Sequence, residues 1–316
     1  MKIVIPGGSG QVGTVLARAF TADGHDVVLL SRGSAAGGWR TVEWNAKSLG
    51  PWTREIDGAD VVINLAGRSV NCRYTAENRR QIMDSRVDST RVIGEAIAGC
   101  THPPTVWLQS STATIYSHRF DAPNDDVDGI IGSSEPDAPD TWKFSIDVAR
   151  AWEKAATDAV TPATRKVLMR SAMVMSPDRG GIFDTLLGLV RMGLGGTAAS
   201  GRQYISWIHD TDFIRAVYWL IDHNELSGPV NLAATNPLPN REFMHILRKA
   251  WGMPIGLPAM EWMLSVGAVI MGTETELVLK SRRVISTRLL NSGFKFEFDD
   301  WQSAADDLCR RWREQN

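Results

Sequence analysis

Cysteine is scarce in this chain: three residues in 316, at Cys72, Cys100 and Cys309, with no Cys-x-x-Cys. An odd, scattered set excludes a disulfide framework and a cysteine-built zinc site. It fits a reducing, cytoplasmic compartment. Long apolar runs are also missing. The most apolar late stretch, Met263 to Gly272, is about half of the roughly 20 residues a membrane span needs, and reads as a buried helix. Met1-Lys2 leads directly into a strand pattern, so no signal peptide is expected. Neither sign of charge dominates: 34 basic residues face 36 acidic ones, without blocks, for a net charge of −2. Nucleic-acid binding through a charged face is thereby excluded. What remains is 43% hydrophobic and 22% charged, ordinary for a globular protein of about two domains.

The first half alternates short apolar runs with longer amphipathic ones. Strands are predicted over Lys2 to Pro6, Asp26 to Ser31, Val61 to Ala66, Val106 to Ser111 and Lys166 to Ser171. Helices are predicted over Gly13 to Asp23, Thr75 to Gly99 and Phe144 to Asp158. Runs rich in Val, Ile and Leu suit strands buried on both faces. Strand–helix alternation at this spacing predicts an α/β fold, a Rossmann-type doubly wound parallel sheet. From Ser176 the alternation breaks and glycine and proline become frequent. Residues 1–175 are therefore expected to form a dinucleotide-binding domain, with 205–234 returning to it. Residues 176–204 and 235–316 are expected to form a smaller, discontinuous substrate-covering domain.

Gly7-x-x-Gly10-x-x-Gly13 lies between the first strand and the first helix. In such a turn the first glycine permits the tight bend, the second lets backbone approach a pyrophosphate, and the third allows close helix–strand packing. The helix N-terminus, through Ser9, Gln11 and Val12, offers unpaired N–H groups and partial positive charge to phosphate. The second strand ends Leu29-Leu30-Ser31-Arg32 with no acid to hold a ribose 2′-hydroxyl. A guanidinium there suits a 2′-phosphate, so NADP(H) is expected rather than NAD(H), with Arg40 as a second candidate. Asn64-Leu65-Ala66-Gly67 ends the predicted strand that starts at Val61 with small residues that let backbone pass the adenosine.

These segments, together with Gln109-Ser110-Ser111-Thr112-Ala113-Thr114-Ile115-Tyr116, resemble the extended short-chain dehydrogenases/reductases. Arg79 to Thr90, Ala151-Trp152-Glu153, Ser206-Trp207-Ile208-His209-Asp210 and Ser292-Gly293-Phe294 narrow the resemblance to the atypical "epimerase family" subgroup with its own C-terminal region. The resemblance places Thr112 at the catalytic Ser/Thr, Phe144 at the catalytic tyrosine and Val148 at its lysine partner. Arg86 falls where an asparagine is usual. Phenylalanine has no proton to give and valine no charge to lower a phenol's pKa. The chain has only four tyrosines, Tyr74, Tyr116, Tyr204 and Tyr218, and none has a lysine four residues later.

The remaining candidates follow from the resemblance and from side-chain chemistry. Thr112 is expected to orient a substrate carbonyl or hydroxyl, Tyr116 to supply a phenol proton, and Arg86 to polarise a carbonyl or hold an anion. Arg202, Trp207 and His209 are expected on the substrate side, where a guanidinium grips an anionic group and an imidazole carries a proton near neutral pH. The reading is an NADP(H)-dependent oxidoreductase or epimerase-like enzyme with an atypical site, acting on a small carbonyl or hydroxyl compound. Its rival is a non-catalytic NADP(H)-binding sensor. The family further implies pairing as a homodimer through the long helices.

Overall fold

The computed structural model describes residues 1–33, 37–132, 135, 138–264 and 274–315. The apolar run from 263 to 272 lies outside the described residues beyond 264.

Seven parallel strands form the main sheet in the order β10-β6-β5-β4-β1-β2-β3. They are β1 (Lys2–Pro6), β2 (Asp26–Ser31), β3 (Arg40–Glu43), β4 (Val61–Asn64), β5 (Val106–Thr112), β6 (Arg165–Ser171) and β10 (Gly228–Leu232). Side-chain alternation sends Ile3, Ile5 and Leu29 to one face and Val4, Val28 and Leu30 to the other. Both faces are covered, as continuous apolar strands require. Helices α1 (Gln11–Ala22) and α6 (Asp210–Asp222) cover the first face through Leu16, Phe20, Phe213 and Val217. Helices α3 (Ala76–Ala98) and α4 (Asp140–Asp158) cover the second through Val92, Ile93 and Ala156. Full burial of each such side chain contributes about 1.5–3 kcal/mol, so the sheet core outweighs any local propensity.

The strand order reverses between β1 and β4, because the chain first winds to β2 and β3 and then crosses to the other side. At that switch point the carboxyl ends of the two strands part and leave a crevice. Leu65 N donates to Pro6 O at 2.8 Å, which holds the two strand ends together below it.

Beyond β6 the chain builds a second apolar core. Helix α5 (Ile182–Arg191), helix α7 (Asn240–Trp251) and the C-terminal helix Trp301–Gln315 enclose Phe183, Leu187, Trp207, Phe243, Leu247 and Trp301. Two small pairs complete it: β7 (Met173–Met175) runs parallel to β9 (Trp207–His209), and β8 (Tyr204–Ile205) antiparallel to β11 (Leu238–Pro239). Among the described residues no helix is long and apolar enough to cross a membrane.

Candidate functional site

The glycine turn sits at the switch point, and each glycine is there for a different steric reason. Gly7 has φ +75°, and a Cβ on it would lie 2.6 Å from the Ala66 backbone at the end of β4. A Cβ on Gly13 would lie 2.4 Å from the Gly8 carbonyl oxygen. Gly10 differs: a Cβ there would meet only the Gly7 oxygen, at 3.7 Å, so this side of the turn is open. Gly10 is also the N-cap of α1 and supplies no side-chain cap, so no side chain there satisfies the first-turn N–H groups. Gln11 Nε2 is buried without a hydrogen-bond partner there, packed beside Gly181. An open turn, uncapped donors and an orphaned amide fit a phosphate-bearing group.

Ser31 Oγ donates to Ser9 Oγ at 3.1 Å and so ties the end of β2 to the glycine turn. Arg32 follows it, exposed. Arg40, half exposed, is ion-paired to Glu55.

A cavity of about 380 Å³ extends from the turn, walled by Gln11, Val12, Leu65, Gly67, Arg86 and Thr112 among others. Ala66 stands behind this wall, 7% exposed, its N–H donating to Asn64 Oδ1 at 3.1 Å. Arg86 Nη1 donates to the carbonyls of Arg68 and Ile82 at 2.9 and 3.2 Å, and its guanidinium lies 5.0 Å over the Trp152 ring. Gly67 leaves room for it: a Cβ there would stand 3.2 Å from Arg86 Cζ. Burial lowers the Arg86 guanidinium to about 10, still cationic at neutral pH. Thr112 Oγ1 accepts from Thr114 N at 3.1 Å, which leaves its own O–H to donate.

A second cavity of about 120 Å³ adjoins the first and shares Val70, Arg86, Thr112 and Trp152 with it. Phe144 and Val148 are on its wall. Phe144 meets the ring of Tyr74 edge-on, centroids 5.2 Å apart at 73°, and Val148 is 5% exposed beside it. Tyr74, Ser145, Glu276 and Arg282 also line this cavity, and the sequence pattern singled out none of them. Tyr74 was visible as one of four tyrosines. Glu276 and Arg282 arrive from some 200 residues away with no local signal. Burial raises the Tyr74 phenol above its ordinary range, and the Glu276 charge raises it further.

Four expected site residues stand elsewhere. Tyr116 is 2% exposed and lines neither cavity: its hydroxyl donates to Asn231 Oδ1 at 2.9 Å and accepts from Arg170 Nη1 at 3.0 Å. The 3₁₀ turn Ala113–Ile115 separates it from Thr112 and carries it beneath the cleft. Trp207 is fully buried, packed on Trp301 at 4.9 Å, with Nε1 donating to Asn236 O at 3.2 Å. His209 is fully buried as well. Its Nδ1 accepts from Thr211 N at 3.1 Å and caps α6, its Nε2 lies 3.1 Å from Asp307, and its ring stacks on Phe298. Both lie on one face of β9, packed against Trp301 and Phe298 of the second core. Arg202 is exposed on the turn before β8 and lines neither cavity.

A family model described as the NAD dependent epimerase/dehydratase family matches residues 3–141, and one described as a domain of unknown function matches 261–308. The chain is similar to the epimerase family protein YfhF of Bacillus subtilis, 28% identical over 311 residues, covering 98% of each. It is 28% identical over 313 residues to the epimerase family protein SDR39U1 of Mus musculus, covering 98% of this chain and 99% of that one. Among solved structures it is similar to human SDR39U1 with NADPH, at TM-score 0.84 and 26% identity over 98% of this chain and 99% of that one. The UDP-N-acetylglucosamine 4-epimerase of Bacillus cereus, 16% identical with a TM-score of 0.74 over 99% of each, shares the fold.

Proposed function

We propose an NADP(H)-dependent oxidoreductase activity for this chain, which is an atypical extended short-chain dehydrogenase/reductase of the epimerase family. The observation that carries the proposal is one continuous cleft with a phosphate-ready turn at one end and Arg86 with Thr112 at the other. Gly7, Gly10, Gly13 and the N–H groups at Gln11 and Val12 would hold the pyrophosphate. Ser9, Ser31 and Arg32 would meet the 2′-phosphate, and Leu65, Ala66 and Gly67 would bound the adenosine side. The human relative's NADPH supports this choice of nicotinamide. The cofactor would supply hydride exchange with a carbonyl carbon. Arg86, cationic and stacked on Trp152, would hold negative charge beside the reacting group, and Thr112 would donate to its oxygen.

The test is calorimetry of cofactor-stripped protein with NADPH and NADH in parallel. NADPH binding at least tenfold tighter, about 1.4 kcal/mol, supports the reading. No binding of either overturns it. Phe144 and Val148 favour one rival, a non-catalytic NADP(H) sensor. Partner binding that responds to cofactor while the nicotinamide stays chemically untouched would select that rival.

A further inference from the structure

The two positions that carry acid–base chemistry in the resemblance hold Phe144 and Val148, so a proton must come from elsewhere on the same wall. The small cavity offers one source. Tyr74 enters from the loop after β4, opposite α4, and its ring packs edge-on against Phe144. Its backbone is clamped on both sides: Tyr74 N donates to Glu274 Oε1 at 2.7 Å, and Tyr74 O accepts from Arg79 Nε at 3.0 Å. Ser145 and Glu276 line the same cavity as Tyr74, and Ser145 Oγ donates to Glu276 Oε2 at 2.5 Å. Glu276 is 1% exposed, and its Oε1 has no hydrogen-bond partner among the described residues. That oxygen faces Arg282 Nη2 at 3.6 Å, beyond hydrogen-bond reach.

We propose that Tyr74 is the proton-transferring residue of this site, relayed through Ser145 to Glu276, and that the small cavity takes the carboxylate-bearing end of a 2-oxo or 2-hydroxy acid. The inference rests on the NADP(H) reading. Two guanidiniums, Arg86 and Arg282, line the cavity against the single carboxylate of Glu276, so its balance is positive and favours an anion. About 120 Å³ restricts the occupant to a small group. Thr112 and Arg86 line both cavities, so the small one adjoins the cleft proposed for the cofactor.

The proton balance is simple. In oxidation the substrate hydroxyl gives its proton to Tyr74 Oη as the Tyr74 proton passes to Ser145 Oγ and the Ser145 proton to Glu276 Oε2. The hydride on the same carbon would pass to bound NADP⁺, leaving the carbonyl. Reduction runs the same path backwards. Tyr116 cannot serve, because both its neighbours are already committed beneath the cleft. Lys280 donates to Thr114 O at 2.8 Å and lines neither cavity.

The experiment uses the full chain loaded with NADPH, loading being confirmed by NADPH fluorescence. Glyoxylate and pyruvate are the turnover probes at 340 nm. Oxamate, which cannot be reduced, is the binding probe in calorimetry. The expected result is oxamate binding and glyoxylate-driven NADPH oxidation. Tyr74→Phe should lower that turnover at least 100-fold while NADPH and oxamate affinities stay within threefold. Should Tyr74→Phe not fold, Ser145→Ala cuts the same relay and should lower turnover at least tenfold with binding kept. Oxamate binding without NADPH oxidation overturns the proton-transfer role. Turnover within threefold of wild type in either folded variant does the same. Absence of both oxamate binding and turnover in NADPH-loaded protein overturns the whole proposal. Oxamate binding to protein that takes up no NADPH supports the anion pocket and overturns the cofactor reading alone.

Discussion

Arg32 and Phe144 make opposite points at the residue scale. Arg32 is a single exposed cation whose meaning depends on the strand end that carries it. Ser31 is tied to Ser9 in the glycine turn, so Arg32 stands one residue from the proposed phosphate site. Arg32→Ala should weaken NADPH binding about tenfold, about 1.4 kcal/mol, and leave NADH affinity unchanged in paired calorimetric titrations. An equal loss for both nicotinamides would refute its role as a 2′-phosphate ligand. Phe144 and Val148 are not vacancies waiting to be refilled. Phe144 packs on Tyr74, Arg79 stands 4.9 Å over its ring, and Val148 is 5% exposed against Ile82. The double variant Phe144→Tyr/Val148→Lys should gain no turnover. It should lose at least about 1–3 kcal/mol, because a buried lysine would lack a partner. Denaturant unfolding measures this, and a gain in turnover with stability kept would refute it.

Single interactions at the element scale join secondary structures that are distant in sequence. Gly13 lets α1 lie directly on the glycine turn, with a hypothetical Cβ only 2.4 Å from backbone. Backbone cannot yield as a side-chain tip does, so Gly13→Ala should cost about 1–3 kcal/mol and weaken NADPH binding together with stability. Retained binding in a destabilised protein would separate the two effects. On the other side of the sheet, Glu153 on α4 accepts both Arg170 Nε and Nη2 from β6 at 2.8 Å, and Ser111 Oγ from β5 at 2.5 Å. Both charged side chains are 11% exposed. Removing one charge strands the other, so Glu153→Gln should destabilise by about 3–5 kcal/mol. Chemical denaturation checks this, and a loss below about 1 kcal/mol would mean that solvent screens the pair.

At the scale of the whole molecule, the C-terminal helix is pinned to the return of the chain onto the sheet. Arg311 grips both oxygens of Asp210 at 2.8 Å, and His209 Nε2 reaches Asp307. Burial holds the His209 imidazole below its ordinary value of 6.5, although Asp210 and Asp307 pull it upward. A histidine with a lowered folded pKa contributes stability that is complete above the unfolded pKa. That stability is lost as pH falls below about 6.5, because the unfolded chain takes up the proton first. Melting temperature should therefore fall from pH 7 to pH 5, and His209→Gln should flatten that slope while lowering stability at pH 8. A slope unchanged in His209→Gln would assign the loss to other groups, among them His118, whose pKa burial also lowers.

The sequence alone determined the sheet and the glycine turn. Ile3, Ile5, Val28 and Leu30 form strands because continuous apolar runs have no other way to bury both faces. Gly7 and Gly13 are legible in part because a local reason acts on each: Gly7 has φ +75°, and a Cβ on Gly13 would meet Gly8 backbone in the same turn. Tertiary structure alone decided the rest. Tyr116 and His209 carry the right chemistry, but a 3₁₀ turn and strand alternation turn them into buried hydrogen-bond partners. Tyr74, Ser145, Glu276 and Arg282 come from three separated segments, and only the packing of 274–282 against the loop after β4 and against α4 brings them together. Local patterns record what a residue needs from its near neighbours. A site assembled across 200 residues is recorded only in the energy of the folded core.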